Sequence, residues 1–359
     1  MKKILLGMSG GVDSSAAAVI LKNAGYEVAG VTLRLYDNAD LSDDHKGKTC
    51  CSLKDVEDAR SAAYRAGIEH YVFNFGDDFR HDVMQSFCDS YMNGETPNPC
   101  IECNKHIKFG KMLRRAEELG FDGVATGHYA RIEYSGEKGR WLLKRAADET
   151  KDQTYVLYGL TQDQLSKTVF PLGDMTKAQA REIAENAGLI NAKKPDSQDI
   201  CFVPDGDYGK FIEHFTGKTF ESGNFTDVNG NVVGTHKNQI FYTVGQRRGL
   251  GVTFGKPVFV CGKNAAENTV ILGENKDLMK TEILVRDVNL ISVPELNEPF
   301  RGTAKLRYSQ KAAPVTVYPD ECGLRLVFDE PQRAPAAGQA AVIYDGDYVF
   351  GGGVIVSAK

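Results

Sequence analysis

Short apolar runs alternate with longer segments in which apolar residues recur every three or four positions, and this alternation organises the first half of the chain. Residues 3–8 form an apolar run, and residues 14–22 form an alanine-rich segment that ends at Asn23-Ala24-Gly25. The pattern predicts a strand, a turn and a helix. It recurs as an apolar run over 28–35, a helix over 53–66 closed by Gly67 and a strand at Tyr71-Val72-Phe73. A helix over 105–119 closed by Gly120, a strand at Val124-Ala125-Thr126 and a helix over 178–187 ending at Gly188 continue it. Strands alternating with helices predict an α/β doubly wound parallel sheet.

After about residue 205 the pattern changes. Beyond a short helix over 208–215, the remainder reads as short strands separated by turn signals. These are Asn229-Gly230-Asn231, the glycines around 247–251, and Asp345-Gly346-Asp347 between Ala341-Val342-Ile343-Tyr344 and Tyr348-Val349-Phe350. A second seam over 273–280 leaves a carboxy-terminal piece long enough for a small β-barrel. The expected domains are therefore 1–205, 206–275 and 276–359, the last two smaller and mainly β. There is no internal repeat and no low-complexity segment.

The 359 residues are 42% hydrophobic, 25% charged and 9% aromatic, which excludes disorder and a fibrous repeat. A net charge of −5 means that any nucleic acid must be met by local basic patches. The eight cysteines (Cys50, Cys51, Cys88, Cys100, Cys103, Cys201, Cys261, Cys322) are too few and too irregular for a disulfide framework. A reducing, cytoplasmic location is expected. No stretch approaches the roughly eighteen apolar residues of a membrane span, so no membrane partner is expected.

The most informative segment is Gly7-Met8-Ser9-Gly10-Gly11-Val12-Asp13-Ser14-Ser15, between the first strand and the first helix. Adjacent glycines free the backbone, and a helix amino terminus offers N–H groups and a positive dipole end to phosphate oxygens. No Gly-Lys-Ser/Thr follows and the dinucleotide fingerprint is absent, so this is neither a Walker loop nor a Rossmann turn. The alternative is a tight glycine turn with Ser14 or Asp13 capping the helix. An aspartate among phosphates suggests a magnesium ion between them.

A second candidate is Thr96-Pro97-Asn98-Pro99-Cys100-Ile101-Glu102-Cys103-Asn104-Lys105, a Cys-x-x-Cys on a proline-stiffened loop ahead of a helix. The helix start and Lys105 are expected to favour a thiolate at Cys103, below the ordinary thiol value of about 8.5. Half a zinc site or two inert buried thiols are the alternatives. Cys201, in Pro195-Asp196-Ser197-Gln198-Asp199-Ile200-Cys201-Phe202-Val203, reads by itself as a core thiol. Lys105, Lys108, Lys111, Arg114 and Arg115 form a basic flank opposite an apolar stripe of Phe109, Met112, Leu113 and Ala116. That flank suits phosphates or is simply solvated. Arg247, Arg248, Lys305, Arg307 and Lys311 offer further phosphate contacts, and Tyr308 a stacking surface.

Ser9-Gly10-Gly11-Val12-Asp13-Ser14-Ser15 resembles the signature of the PP-loop ATP pyrophosphatases, of adenine nucleotide α-hydrolase-like fold. With the cysteines and with Thr126-Gly127-His128-Tyr129-Ala130-Arg131, Lys151-Asp152-Gln153-Thr154-Tyr155, residues 245–251, Leu306-Arg307-Tyr308, Gly338-Gln339 and Gly351-Gly352-Gly353, the chain resembles the tRNA-specific 2-thiouridylase family. The resemblance runs nearly the full length, with the blocks in the family's order. It implies a PP-loop catalytic domain, a central tRNA-binding domain and a terminal barrel. It also implies a sulfurtransferase in which ATP with magnesium adenylylates C2 of the wobble uridine and persulfide sulfur completes 2-thiouridine. Carried over by resemblance, Cys201 holds the persulfide and Cys103 attacks it, ending as their disulfide. Gly7, Met8, Ser9, Gly10, Gly11, Val12, Asp13, Ser14, Leu33 and Gly127 contact ATP. Asn98, Pro99 and Cys100 surround the target base, while His128, Lys151, Asp152, Gln153, Arg307, Tyr308 and Gln339 touch tRNA. The implied partners are lysine, glutamate and glutamine tRNAs and a cysteine desulfurase or sulfur-relay protein. Some family members carry an aspartate where Cys100 stands, so the general base is open, and an iron–sulfur cluster on Cys100, Cys103 and Cys201 is the second route. A PP-loop amide-forming ligase and a non-enzymatic tRNA-binding protein are the remaining alternatives.

Overall fold

The computed structural model describes residues 1–36, 53–194, 200–252 and 255–359. Cys50, Cys51, Pro195, Asp196, Ser197, Gln198 and Asp199 lie outside the described residues. Among the described residues, the first domain is built on a parallel sheet of order β3-β2-β1-β4-β7. Its strands are β1 (Lys3–Gly7), β2 (Glu27–Arg34), β3 (Glu69–Asn74), β4 (Gly123–Thr126) and β7 (Thr168–Val169). Leu5 of β1 stands between Ala29 of β2 and Val124 of β4.

Alternation along β1 divides the core into two layers, because successive strand side chains point to opposite faces. Ile4 and Leu6 pack with Ala16, Ala17, Ala18 and Leu21 of helix Val12–Asn23 and with Ala180 and Ala184 of helix Lys177–Asn186. Leu5 packs on the other face with Phe109, Met112, Leu113 and Ala116, the predicted stripe. Helices thus cover both faces, as the alternating pattern predicts. One boundary differs. The helix expected over 105–119 begins at Pro99 and runs to Glu118, with a π-helical middle at Cys103–Lys111. Pro99 sits in the first turn and the Asn98 side chain accepts from Cys100 N at 3.1 Å, so the residues read as a stiffened loop are a capped helix start.

The middle region is a sheet of order β10-β11-β8-β9, from β8 (Gly223–Asp227), β9 (Val232–His236), β10 (Phe259–Asn264) and β11 (Thr269–Gly273). Its core is Phe225, Tyr242, Val260, Val270 and Leu272. The last region comprises β12 (Met279–Leu290), β13 (Phe300–Lys305), β14 (Ala313–Asp320), β15 (Gly323–Arg333), β16 (Ala340–Asp345) and β17 (Tyr348–Ala358). Their order is β12-β15-β14-β13-β16-β17, and β12 pairs with β17 to close a six-stranded barrel. A Cβ on Gly351, Gly352 or Gly353 would lie within 2.5–2.6 Å of the carbonyl oxygens of Asn289, Ala341 or Arg286, so the glycine block lets neighbouring backbone close.

The pattern did not expose β5 (Arg131–Ser135) and β6 (Arg140–Lys144) of the first domain, a hairpin that adds to the barrel's edge through Lys144 and Tyr348. The junction is tightened by Tyr155 Oη donating to Ala340 O at 2.9 Å and Asn289 Nδ2 donating to Tyr158 O at 2.7 Å. Leu5 has no solvent-exposed surface. Leu5→Ala should therefore lower the stability of the first domain by about 3 kcal/mol, read as a shifted denaturant midpoint with unchanged slope.

Candidate active site

At the carboxy end of the sheet, β1 and β4 leave the crevice where the direction of connection reverses, the place at which open α/β sheets bind ligands. The glycine loop fills one side. Gly10 has φ +72°, and a Cβ there would lie 2.5 Å from Asp55 O, so only glycine fits. Gly11 is the N-cap of helix Val12–Asn23 and provides no side-chain cap. Neither Ser14 nor Asp13 caps this helix: Ser14 Oγ donates to Gly11 O at 3.2 Å and accepts from Ser9 N at 3.3 Å. The capping alternative is thereby corrected, and the uncapped start remains suited to an anion.

The loop is held from behind by residues with no local sequence signal. Asn191 Nδ2 donates to Gly10 O at 3.1 Å and Ser15 Oγ at 2.7 Å. Lys194 Nζ bridges Asp55 at 2.7 Å, Asp58 at 3.0 Å and Gly10 O at 3.3 Å. Thr32 Oγ1 donates to Met8 O at 2.9 Å, one residue before Leu33. Opposite, a Cβ on Gly127 would approach Ser14 N to 2.8 Å, so this glycine admits the helix start. Asp13 accepts from Tyr129 Oη and from Lys177 Nζ, which supplies a reason for its position other than a magnesium ion.

Asn98, Pro99, Cys100 and Cys103 begin the helix that crosses the other face. Cys100 exposes its side chain, whereas Cys103 is buried. Burial pushes the Cys103 thiol up to about 11, with Lys108 opposing it and Cys100 adding to it. The expected depressed value is thus wrong: Cys103 is the fifth residue of its helix, and the loss of water outweighs the dipole. Loss of water also raises the Cys100 thiol, with Lys108 opposing it. Cys201 packs against the aromatic cluster that contains Cys103, Phe79, Phe87 and Phe202, and its carbonyl accepts from Tyr36 Oη at 2.7 Å. The Cys103 thiol is not part of a disulfide. Among the described residues, no group of three or more His, Cys, Asp and Glu side chains could hold a metal ion, so Cys100, Cys103 and Cys201 do not fit a cluster in this arrangement.

The other two domains grip the loop before Cys100. Thr96 N donates to Ala337 O at 2.7 Å, and Gln339 Nε2 donates to Thr96 O at 2.8 Å. Glu95 pairs with Arg286 at 2.9 Å, and Gln239 Nε2 donates to Tyr91 O at 2.9 Å. Gln339 therefore spends its amide on the loop. Arg307 likewise donates to Val244 O at 2.8 Å and Ala334 O at 2.7 Å, joining middle domain to barrel. Tyr308 is 45% exposed and close enough to Cys100 and Asp152 for their charges to act on its hydroxyl. His128 is buried between Phe109 and Phe170, with Nδ1 2.7 Å from Thr126 Oγ1, and burial lowers its pKa well below the ordinary value. Asp152 accepts from Ala146 N and Thr154 Oγ1, Gln153 accepts from Tyr129 N, and Lys151 is half-buried beside them. On the basic flank, Lys111 pairs with Asp78 and Arg115 with Glu118, while Lys105 and Arg114 are exposed.

Three family models match in succession: the HUP domain of the tRNA methyl transferase family over residues 2–205, its PRC-barrel domain over 209–274, and an aminomethyltransferase β-barrel domain over 280–355. A tRNA-specific 2-thiouridylase MnmA of Clostridioides difficile is 51% identical over 99% of this chain and 98% of its own length. Its namesake from Acetivibrio thermocellus is 51% identical over 99% of each chain. The chain belongs to the tRNA-specific 2-thiouridylase family. Among the described residues, no helix is long and apolar enough to cross a membrane.

Both thiols are raised, but Cys103 is buried whereas Cys100 is exposed, so the two thiols of this thiouridylase-family chain should differ in alkylation. At pH 7.5, Cys100 should react with iodoacetamide at least about tenfold faster than Cys103, and Cys103 should accelerate as the pH rises toward 11. Fragment-ion mass spectrometry of the shared peptide separates them; equal rates would contradict the assigned burial.

Proposed function

We propose that this chain is a tRNA-specific 2-thiouridylase, a sulfurtransferase that uses ATP, and that Cys103 and Cys201 are its redox pair. The observation that supports the reading is the packing of Cys103 and Cys201 around one aromatic cluster, in a domain that also carries the uncapped phosphate loop. Family membership over 99% of the chain supports the substrate class. An amide-forming ligase has no use for two such thiols, and a passive RNA binder has no use for the loop.

In the proposed cycle, ATP lies on the segment from Gly7 to Ser14, with Leu33 and Gly127 beside it, and the chain's uncapped N–H groups stabilise the phosphates. Magnesium arrives with the nucleotide, since the Asp13 carboxylate is already engaged by Lys177 and Tyr129. The uridine O2 attacks the α-phosphorus, pyrophosphate leaves, and C2 now carries AMP as a good leaving group. Asn98, Pro99 and Cys100 hold the base, and Tyr308 stacks against an unpaired neighbour. Cys201, loaded as a persulfide by a desulfurase or sulfur-relay protein, is attacked by the Cys103 thiolate. The disulfide forms, hydrosulfide is released, and hydrosulfide displaces AMP from C2. Lys108 supplies the positive charge near the Cys103 thiolate. Lys151, Asp152, Gln153, His128, Arg307 and Gln339 form or brace the tRNA-facing wall, and lysine, glutamate and glutamine tRNAs are the proposed acceptors. A reducing cytoplasm returns the disulfide to thiols.

Mass spectrometry of tRNA nucleosides after incubation with ATP and a persulfide donor tests this. Wild type should form 2-thiouridine, while C103S and C201S should each lose it by at least about 100-fold. Because activation precedes sulfur transfer, both variants should still release tRNA-dependent pyrophosphate, with AMP left on the tRNA. Full 2-thiouridine formation by either variant would remove that cysteine from the cycle.

A further inference from the structure

One ion pair at the phosphate loop is unexplained by fold or by thiol chemistry. Lys177 opens helix Lys177–Asn186, and its Nζ lies 2.8 Å and 2.7 Å from the two carboxylate oxygens of Asp13. Tyr129 donates its hydroxyl to Asp13 Oδ1 at 2.8 Å, and its ring centroid is 6.0 Å from the ammonium. The lysine side chain is 12% exposed. Asp13 itself stands in the first turn of helix Val12–Asn23, whose start is the anion site. A bare carboxylate there would repel phosphate, and an ammonium bound to it removes that repulsion.

Stability alone accounts poorly for such a pair, because desolvating an ammonium offsets much of the Coulombic gain. Lys194 gives the contrast. It is surrounded by Asp55, Asp58 and Gly10 O behind the loop, a bracing arrangement with an excess of carboxylate. Lys177 instead approaches the loop from the side of Tyr129 and meets Asp13 in the first turn of the helix. Asp148 Oδ2 accepts from the Lys177 backbone N–H at 3.1 Å, which anchors the helix start while the side chain keeps its flexible stem.

We propose that Lys177 is a phosphate-binding residue, held on the loop's own Asp13 in the empty protein and transferred to the phosphate oxygens of ATP when the nucleotide enters. The proposal rests on the nucleotide part of the function proposed above and is independent of sulfur transfer. Its ligand is a nucleoside polyphosphate, recognised through negative charge, with Asp13 acting as the resident competitor.

Calorimetric binding of ATP and of adenosine to the full chain, in EDTA and without tRNA or sulfur donor, separates the readings. K177M should bind ATP about tenfold or more weakly while its adenosine affinity stays within about twofold. D13N removes the competing carboxylate and should bind ATP more tightly than wild type by about threefold or more, and the double variant should behave as K177M. A merely structural ion pair predicts weaker ATP binding in both single variants. That result, or equal losses for ATP and adenosine in K177M, would overturn the proposal. Circular dichroism and melting establish that each variant is folded; if K177M is not, K177Q takes its place. Failure of wild type to bind ATP would instead remove the underlying nucleotide reading.

Discussion

Everything at the cysteines depends on how residues 95–98 are held, and that segment is held mostly by other domains. The backbone of Thr96 exchanges hydrogen bonds with the barrel through Ala337 O and the Gln339 amide. The adjoining Gly338 has φ +86°, and a Cβ there would sit 2.7 Å from Glu95 Cβ, so barrel and loop are in direct backbone contact. Glu95 adds an ion pair to Arg286, and Lys263 of β10 directs its ammonium toward Glu95 O at 3.4 Å and the Tyr91 ring. Three residues later Asn98 caps the helix that carries Cys100 and Cys103. Displacing the barrel would therefore move the helix cap and, through it, the thiols. The β domains thus brace the helix that carries both cysteines.

The same packing sets the reactivity of Cys103. A thiol that remained in water at a helix start would ionise near neutrality and oxidise readily. Burial pushes it up to about 11, while Lys108 pulls in the opposite direction. The π-helical segment Cys103–Lys111 is relevant here, because its i to i+5 register carries Lys108 to the level of Cys103 one turn on. The result is a thiol protected until its surroundings change and a cation already placed for the thiolate.

The strand and helix order of the first domain was legible because each element carries its own period: Leu5 and Leu6 fall on opposite faces of one strand, and Phe109, Met112, Leu113 and Ala116 share one helix face. The phosphate loop was legible for a similar reason, since two adjacent glycines at a strand-to-helix turn have a local meaning. What the residues hid is what the fold assembles over long separations. Lys177 and Asp13 are 164 positions apart, and Asn191 and Ser15 are 176 apart. Arg307 and Gln339, singled out through resemblance, spend their donors on carbonyls of other segments, which no spacing rule reports. The Cys103 estimate failed because proximity to a lysine can be read along the chain, whereas the degree of burial cannot.

The hairpin of β5 and β6 shows why the domains form one working unit. It is encoded between β4, whose end supplies Gly127, and the Lys151–Gln153 block, yet it pairs with the barrel. Rotation of the barrel away from the first domain would have to break the pairing at Tyr348, the Tyr155 to Ala340 hydrogen bond and the Asn289 amide bridge together. The chain enters this hairpin from the loop after Thr126, whose Tyr129 hydroxyl reaches Asp13. The barrel is therefore joined to the first domain through hydrogen bonds and a strand pair rather than through a linker, so motion of one is resisted by the other at three separate points.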